Sequence, residues 1–555
     1  MSLSQIRITR GLFIIATLLL VAACQPPQSP SGLVYCSEGN PQTFNPQLVT
    51  SGTTIDATSH QIYQHLIKYD PLTGDVTPSL AKSWFVSGDG KTYTFIIREN
   101  VQFHHSKRFT PTRNLNADDV VFSFSRIIDK NNPFYKTAKN GFPFFQSIDF
   151  SGLVQSIKSV GSNKVVFQLT KSDSSFLANL ATDFAVVLSK EYADTLLSIN
   201  KPKYLDQHPI GTGPFKLKQY VKNEYIRYAR NDAYWGKPAA VETLVFDITR
   251  KSSKRLAKLI TNDCSVSALP KPSELIVVEQ NMHVKLQQQQ GMNVSYWAFN
   301  TNKPPFDNVS VRKALALAIN KQAILKAVYN NSASIADGLL PPASWAFDPS
   351  LDTQEYNPVK AKQLLQQAGV NNLTLDIWTL PTARTYNPNP IKTSQLIQAD
   401  LAAIGVKARI KSYDWNVFVK RLSKGNYDSV LIGWNADNSD PDNFFSPFLS
   451  CAALQSGNNR SNWCNSSFDD LLTKAKSVTT QQTRKAFYQA AETIVMQQQP
   501  VVPLAHSNRM VLKRNNLHGV HLTPFGGISF ADAILGEPKL AGSAPTKPKP
   551  PKDLN

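Results

Sequence analysis

The chain has 555 residues, a formal net charge of +19 and a hydrophobic fraction of 42%. This length exceeds what one hydrophobic core usually supports, so two or three domains are expected. After residue 24 no apolar run approaches the roughly 18 to 20 residues that cross a bilayer, which excludes a membrane-spanning body. The positive charge is dispersed, without a run of five basic residues. We therefore expect a solvated basic surface, which attracts nucleic acid or anionic membrane only nonspecifically.

The N-terminal segment is typical of a bacterial secretion signal. Arg7 and Arg10 precede an apolar stretch over residues 12–23, and two small residues come directly before Cys24. The sequence Val-Ala-Ala-Cys over residues 21–24 resembles a lipobox, whose cysteine is lipidated and becomes the mature N-terminus. We predict a signal peptide over 1–23 and a lipid on Cys24. The alternative is an ordinary cleaved signal with an Ala-x-Ala-like site and an incidental cysteine.

The first part of the body is rich in strands. Residues 92–97 follow a Gly-Asp-Gly turn, and residues 164–169 follow Gly-Ser-Asn; both runs are rich in β-branched and aromatic residues. In the later half, Asn357 and Pro358 form the N-cap and first position of a helix that Gly369 ends. The spacing predicts a change from strand-rich to alternating structure along the chain.

An alternating β-α-β-α-β succession follows this helix. Strands are predicted over 373–378, 406–410 and 429–434, and helices over 393–404 and 415–424. Such units build mostly parallel sheets, and open sheets bind ligands beyond the carboxyl ends of their strands. The loops that follow these strands are therefore the candidate ligand site.

Two of these loops carry charged residues. Asp437 begins an acidic loop that follows the last strand, next to Trp434, and could hold a ligand ammonium. A solvated Asx/Pro turn is the alternative, whereas a calcium loop fails because Pro441 and Phe448 occupy two ligand positions. Arg384 follows the first of these strands and could pair with a carboxylate, or be an ordinary surface arginine. On the same side of one sheet, the two loops could hold both ends of a short zwitterion.

Four cysteines remain once Cys24 is assigned to lipid, and they can pair in an oxidising periplasm. Three pairings are possible. Cys451 and Cys464 flank a polar loop, and a disulfide between them would close this loop. That leaves Cys36 to pair with Cys264. A metal site is a poor alternative, because no CxxC spacing occurs and no histidine accompanies either pair.

Catalytic motifs are weak. Ser79 and Lys82 match SxxK without its companion motifs, so an exported hydrolase is a remote alternative. His104 and His105 are adjacent, which does not form a zinc pair on a helix face. The tail over 541–555 is dense in proline and lysine and is expected to be disordered.

Ordered motifs over nearly the whole mature chain resemble the ABC-transporter solute-binding protein family 5, the dipeptide and oligopeptide group, and within it the Sap-type branch. The stretches that carry the family resemblance are Ser83-Trp84, Asp89-Gly90-Lys91-Thr92-Tyr93, Phe109-Thr110-Pro111-Thr112-Arg113, Asn116-Ala117-Asp118-Asp119-Val120, Pro209-Ile210-Gly211-Thr212-Gly213-Pro214-Phe215 and Ala298-Phe299-Asn300-Thr301. Residues 314–320, 344–346 and 523–526 resemble the Sap-type branch. Arg384 with residues 386–389 instead resembles true dipeptide binders.

The resemblance implies an α/β, two-lobed periplasmic-binding-protein fold of type II, in the large peptide-binding class with an extra subdomain. Lobe I would be discontinuous, over 31–290 plus 509–540, with the subdomain at 64–212; lobe II would span 291–508. The four cysteines fall where dipeptide-binding proteins carry two disulfides, which supports Cys36 with Cys264 and Cys451 with Cys464.

The resemblance also implies residue roles. Asp437 matches the position of the family's ammonium-binding aspartate, and Arg384 matches the carboxylate-binding arginine of its dipeptide members. Gly52, Thr53 and Trp415 fall in segments that line the family's cleft. Trp434 would contribute to the apolar frame beside Asp437.

The expected function is therefore that of a non-enzymatic receptor of an ABC transporter, lipid-anchored in the periplasm of a Gram-negative bacterium. It would be a monomer without a cofactor, capture short peptides between its lobes, and deliver them to an inner-membrane permease. The alternative is a Sap-type receptor for haem or for cationic antimicrobial peptides, linked to resistance against them. A cationic peptide would need a local acidic cleft in this basic chain. The two negatively charged propionates of haem instead match the net positive charge of the chain.

Overall fold

In the computed structural model, the described residues are 32–70, 74–351, 355–413, 415–422, 424–456 and 458–536, without the side chains of 415, 416, 419, 455 and 456. The predicted signal peptide, Cys24 and the predicted tail lie outside them. The strands are β1 (Leu33–Ser37), β2 (Ile67–Tyr69), β3 (Val76–Pro78), β4 (Ala81–Val86), β5 (Thr92–Ile97), β6 (Val154–Val160), β7 (Lys164–Leu169), β8 (Phe215–Val221), β9 (Tyr225–Arg230), β10 (Thr243–Ile248), β11 (Val266–Ala268), β12 (Val284–Gln290), β13 (Asn293–Phe299), β14 (Ala333–Ile335), β15 (Thr374–Thr379), β16 (Lys407–Lys411), β17 (Ser429–Asn435), β18 (Val501–Arg514), β19 (Leu517–His518), β20 (His521–Leu522), β21 (Ile528–Ser529) and β22 (Ile534–Leu535).

The described residues also contain α-helices. The α-helices are Gly52–Thr58, Ala117–Ile128, Pro133–Lys136, Pro143–Ser147, Phe150–Leu153, Phe176–Leu180, Lys190–Ser198, Ser252–Ile260, Leu275–Glu279, Val309–Leu317, Lys321–Ile324, Pro358–Gln367, Pro390–Ala403, Trp415–Leu422, Ser446–Leu449, Ala452–Ser456, Ser466–Ser477 and Gln481–Gln498. Within the described residues, none of these helices has the length and apolar character needed to cross a membrane.

The local signals read from the sequence are confirmed where they are strong. β5 and β7 have the predicted bounds. The Asn357 side chain accepts a hydrogen bond from the Lys360 amide at 2.9 Å and so caps the helix Pro358–Gln367. Gly369 takes a φ of +71°, a conformation that glycine adopts without strain, directly after this helix.

The predicted β-α-β-α-β unit is present, and its three strands are parallel: β15 lies between β16 and β17. The helix Pro390–Ala403 begins three residues earlier than predicted because Asn389 caps it and accepts from the Lys392 amide. The expectation of a mostly parallel sheet is wrong beyond these strands. β17 pairs antiparallel with β13, and β13 pairs antiparallel with β18, so the sheet is mixed.

β18 is the strand that joins the two halves of the molecule. The twelve-stranded sheet has the order β16-β15-β17-β13-β18-β11-β1-β10-β9-β8, with β12 and β14 also paired to β18. The first part of β18 pairs with β13, and its last part pairs with β11 and β12. The fold is therefore two-lobed. We use lobe I for residues 32–290 and 509–536 and lobe II for 291–508, whose exact bounds stay a prediction.

Lobe I carries a second, separate sheet of four antiparallel strands in the order β4-β5-β7-β6. The helix Ala117–Ile128 packs on it through Phe124, whose ring lies 5.5 Å from that of Phe167. The Phe95 ring lies 5.7 Å from the same Phe167 ring. Fully buried aromatic side chains thus anchor this helix on the sheet.

The four remaining cysteines lie in two pairs at disulfide-bonding positions. Cys36 on β1 lies next to Cys264, with 5.9 Å between their Cα atoms. Cys451 lies next to Cys464, with a Cα separation of 4.7 Å. These are the pairs that the resemblance implies, one closing a long segment of lobe I and the other a short loop of lobe II.

Candidate functional site

The acidic loop after β17 is held in shape by Asn443. The Asn443 side-chain oxygen accepts hydrogen bonds from the Asp437 amide at 3.0 Å and from the Trp434 indole Nε1 at 3.1 Å. The Trp434 ring stacks on Phe448 at 5.3 Å. The two predicted site residues of this loop therefore share one polar anchor, and the role of Trp434 as an apolar frame stays a prediction.

Asp437 has an unusual electrostatic environment. Burial raises the pKa of its carboxyl to about 7, the negative charge of Asp183 adds to the rise, and a hydrogen bond with the Asn443 side chain opposes it. Asp183 belongs to lobe I and Asp437 to lobe II. A cationic group between the lobes would stabilise both carboxylates, so this position is suited to an ammonium.

The Arg384 loop lies against the acidic loop. Arg384 and Asn387 exchange backbone hydrogen bonds of 2.9 and 3.1 Å, which makes a tight turn after β15. The Thr385 hydroxyl donates to the Asn435 side-chain oxygen at 2.9 Å, two residues before Asp437. The predicted neighbourhood of the two loops is thus present, because both follow parallel strands of one sheet.

Tyr386 fixes the side chain of Arg384. The Tyr386 ring lies directly over Gly433, where an added Cβ would clash with ring atoms. Burial raises the pKa of the Tyr386 hydroxyl to about 12, and hydrogen bonds with Arg384 and the Gly433 backbone oppose that rise. Arg384 is half-buried beside this aromatic neighbour, and its role at the cleft stays a prediction.

The opposite wall of the cleft comes from lobe I and contains acidic groups. His60 Nε2 lies 2.7 Å from the Asp183 carboxylate. Burial alone would lower the pKa of His60 and raise that of Asp183, but their mutual attraction shifts both pKa values the other way. Burial, together with nearby Glu38, raises the pKa of Asp56 to about 7. This wall therefore holds the carboxyl groups of Glu38, Asp56 and Asp183 against the positive charge of Arg509, which lowers the pKa values of all three.

The two lobes touch, so the cleft is closed. Asn438 Nδ2 of lobe II donates to Asn179 Oδ1 of lobe I at 2.9 Å. The Ser174 hydroxyl of lobe I donates to the Val478 carbonyl at 2.6 Å. This contact between the lobes therefore lies one residue from Asp437, the predicted ammonium-binding residue.

A double-mutant cycle tests the Asn438–Asn179 contact. Asn179→Ala and Asn438→Ala should each weaken ligand binding by about 3- to 10-fold, because each removes one hydrogen bond of the closed state. The double variant should lose about as much affinity as either single variant, since both substitutions remove the same hydrogen bond. Calorimetry gives the affinities; fully additive losses would show that the pair does not act in closure.

Gly52 and Thr53 begin the helix that carries Asp56 into the acidic wall. The Thr53 hydroxyl donates to the Asn40 carbonyl at 2.9 Å, and Gly52 is exposed with open space at its Cβ position. Their role in lining the cleft stays a prediction. Trp415 begins the helix Trp415–Leu422, but its side chain lies outside the described set, so its role also stays a prediction.

Sequence reasoning missed three residues of this region: Asn443, Asp183 and His60. Asn443 follows Asp437 by six residues within the loop that was identified, and an amide there could have been proposed as an anchor. Asp183 and His60 are 123 positions apart and meet Asp437 only through the fold, so no local pattern could have identified them.

The SxxK motif does not form a catalytic pair. Ser79 is buried and its carbonyl accepts from Arg98 Nε at 2.6 Å, whereas Lys82 is exposed. Among the described residues, no group of three or more histidine, cysteine, aspartate or glutamate side chains is placed to hold a metal ion.

Known proteins resemble this chain along nearly its whole length. The dipeptide-binding protein of Escherichia coli (strain K12) is 44% identical over 91% of this chain and 94% of its own. Peptide transport periplasmic protein SapA of Salmonella typhimurium is 42% identical over 94% of this chain and 96% of its own. Heme-binding protein A of Haemophilus influenzae is 40% identical over 90% and 92% of the two chains.

A solved structure and a family model agree with these relatives. The crystal structure of a dipeptide binding protein from Pseudoalteromonas sp. SM9913 in complex with Met-Leu has a TM-score of 0.84 and 46% identity, covering 90% of this chain and 99% of that one. The model of bacterial extracellular solute-binding proteins, family 5, matches residues 75–456. The chain therefore belongs to family 5 of the bacterial extracellular solute-binding proteins, among peptide-binding members that include Sap-type proteins, and is a transport binding protein and not an enzyme.

Proposed function

We propose that this protein is a lipid-anchored periplasmic receptor that captures short peptides between its lobes and delivers them to an inner-membrane ABC permease. The observation that carries the proposal is the contact between the Arg384 and Asp437 loops, at Thr385 and Asn435, inside a closed cleft. A cation and a carboxylate at neighbouring strand ends match the two ends of a short zwitterion.

In the proposed pose the ligand amino terminus lies on Asp437 and the carboxylate of a dipeptide lies on Arg384. Trp434 would pack against the ligand, and Gly52 and Thr53 would approach its backbone from lobe I. Trp415 would complete the cleft. The neighbouring Asp183 supports the ammonium position, because a cation there relieves the repulsion that Asp437 experiences.

Peptide amides test the role of Arg384. Arg384→Ala should weaken binding of a free dipeptide by about 10- to 100-fold, the usual effect of a hydrogen bond to a charged group. Binding of the same dipeptide with an amidated carboxyl terminus should change little, since it has no carboxylate to lose. Calorimetry measures both. Equal losses for the acid and the amide would place the carboxylate elsewhere.

A cationic peptide is a second candidate ligand, favoured by the acidic wall of the cleft. The negative charge of Asp183 contributes to the raised pKa values of both Asp56 and Asp437 there, although the chain as a whole is strongly basic. The acidic cleft that a Sap-type cationic ligand requires is therefore supported by these groups. SapA, 42% identical, is described as a peptide transport protein.

Haem is a third candidate ligand, because one relative at 40% identity is a heme-binding protein. The charge of the ligand separates cationic peptides from haem. We expect Lys-Lys to bind about tenfold more tightly than Glu-Glu, because the acidic wall attracts one and repels the other. Haem, with its propionates, should produce no Soret shift on titration. A saturable Soret shift at one equivalent would favour haem instead.

The cellular part of the proposal depends on Cys24. A lipid on this residue would hold the receptor at a membrane of a Gram-negative cell, where it would meet the permease as a monomer. No cofactor is needed for this role. Native mass spectrometry of the purified protein would show both the lipid and any retained ligand.

A further inference from the structure

Arg460 is a half-buried arginine of lobe II that has no counter-charge. Among the described residues, no oxygen atom accepts a hydrogen bond from its guanidinium, and no carboxylate forms an ion pair with it. Burial lowers the pKa of this guanidinium, and the nearby Tyr427 and Tyr296 oppose the fall. Charged groups that leave water are normally paired, so a carboxylate that arrives with a ligand would stabilise Arg460.

The loop that carries Arg460 is fixed without any use of its guanidinium. Cys451 and Cys464 lie at the two sides of the loop, with 4.7 Å between their Cα atoms. The Asn459 side chain donates to three main-chain carbonyls at 2.7 to 3.3 Å. The Tyr427 hydroxyl donates to the Arg460 carbonyl at 2.8 Å. The backbone at Arg460 is therefore held in place, while its charged group stays available.

Tyr296 on β13 connects Arg460 with the Arg384 loop. Burial raises the pKa of the Tyr296 hydroxyl, the neighbouring Tyr386 adds to the rise, and the positive charge of Arg460 opposes it. Tyr386 in turn forms a side-chain hydrogen bond with Arg384. Arg384 and Arg460 therefore lie near one group of tyrosine side chains, of which Tyr427 is the third member.

The same tyrosine group adjoins the acidic loop. The Tyr296 ring stacks on Phe448 with 5.3 Å between the ring centroids, and Phe448 stacks on Trp434 at the same distance. Trp434 and Asp437 share the Asn443 side chain as their anchor. One continuous part of lobe II thus contains the predicted ammonium site and, beyond the aromatic rings, two arginines.

We propose that Arg460 is a second carboxylate-binding residue, which selects peptides with a carboxylate that Arg384 does not hold. This assignment rests on the proposed function, because it needs a peptide whose amino terminus lies on Asp437. The carboxylate has two possible sources: the side chain of an acidic second residue, or the terminal carboxylate of a tripeptide. A guanidinium forms two parallel hydrogen bonds with either group.

Isothermal titration calorimetry with Ala-Ala, Ala-Gln, Ala-Glu and Ala-Ala-Ala tests Arg460. Arg460→Met should lose about tenfold or more in affinity for Ala-Glu, for Ala-Ala-Ala or for both, the usual effect of removing a hydrogen bond to a charged group. Its affinities for Ala-Ala and Ala-Gln should stay within about twofold. A loss for Ala-Glu alone assigns the side-chain carboxylate, and a loss for Ala-Ala-Ala alone assigns the terminal one.

The choice of peptides separates Arg460 from the acidic wall of lobe I. All four peptides begin with alanine, so this wall meets the same first residue in each. Lys-Lys and Glu-Glu differ at the first residue as well, and their comparison therefore does not test Arg460. Arg460→Lys keeps the charge without the planar fork and should lose less affinity than Arg460→Met.

Arg409→Met is the matched control, because it removes the same charge from an exposed position of lobe II. It should leave all four affinities within about twofold. Urea unfolding should show no loss of stability in Arg460→Met, since its guanidinium has no partner to leave behind.

Four results would overturn the assignment of Arg460: unchanged binding of both Ala-Glu and Ala-Ala-Ala by Arg460→Met, an equal loss for Ala-Ala, an equal loss in Arg409→Met, or a marked loss of stability in Arg460→Met. Binding of Ala-Ala by the wild-type protein reports the proposed function separately. Wild-type binding of all four peptides with no effect of Arg460→Met would therefore refute the role of Arg460 and leave peptide capture intact.

Discussion

Replacement of Asp437 by asparagine is expected to weaken dipeptide binding by about 100-fold or more. The substitution keeps the shape of the side chain but removes the charge that the proposed pose places in contact with the ligand ammonium, and leaves Asp183 as the second, more distant one. Truncating one partner of a buried, hydrogen-bonded charge pair typically costs about 2–5 kcal/mol of binding free energy. Isothermal titration calorimetry with one dipeptide measures the change directly.

Asp442→Asn is the matched control for this substitution. Asp442 lies in the same loop, but its carboxylate accepts from the Ser446 hydroxyl at 2.5 Å and lies 3.5 Å from Lys476 Nζ, so it faces its own partners. We expect its dipeptide affinity to stay close to that of the wild type. An equal loss in both variants would show that the net charge of the loop matters and not the position of Asp437.

The pKa of Asp437 adds a pH dependence with a definite sign. Its pKa is raised to about 7 in the closed cleft, so the carboxyl is protonated at lower pH and cannot hold an ammonium as an anion. Wild-type affinity should therefore rise from pH 5 to pH 7. The rise should be much smaller in Asp437→Asn, which cannot ionise.

Arg484→Met is expected to destabilise the protein by about 3–5 kcal/mol, because it leaves a buried carboxylate without its partner. Arg484 Nη2 lies 2.6 Å from Asp440 Oδ2, its Nε donates to the Ala475 carbonyl at 3.0 Å, and both charged side chains are less than a tenth exposed. The Tyr488 hydroxyl donates to the second Asp440 oxygen at 3.1 Å. Urea unfolding, followed by tryptophan fluorescence, gives the change in free energy.

Arg409→Met is the control for that experiment. Arg409 Nε lies 2.7 Å from Asp376, but its side chain is 64% exposed, so this ion pair is worth about 0–1 kcal/mol. A small loss at Arg409 with a large loss at Arg484 would show that Asp440 depends on its buried partner. Similar small losses would show that the acidic loop is held by other contacts.

Much of the alternating part of the fold could be predicted from local pattern. The parallel order of β15, β16 and β17 follows from the helices that connect these short strands, and the Asn-Pro pairs mark the starts of two helices in this half. The mixed sheet could not be predicted in this way. β13 and β18 reach their neighbours after long excursions of the chain, and nothing in either strand specifies its direction relative to a partner so far away.

The candidate site likewise contains residues that local pattern predicts and residues that it does not. Arg384 and Asp437 were identified because loops after parallel strands meet at one sheet edge, and the structure brings their neighbours Thr385 and Asn435 into contact. Asp183 and His60 come from the other lobe, and their role appears only when the cleft is closed. The disulfide partners of lobe I, Cys36 and Cys264, likewise needed the family resemblance as well as the cysteine count.

The most direct test of peptide capture compares one dipeptide with its N-acetylated form by isothermal titration calorimetry on the wild-type protein. Acetylation removes the ammonium that we place between Asp437 and Asp183, while the side chains and the carboxylate remain. We predict saturable binding of the free dipeptide at one site and an affinity about 100-fold weaker, or no measurable binding, for the acetylated form. Equal affinity for the two forms would contradict the account.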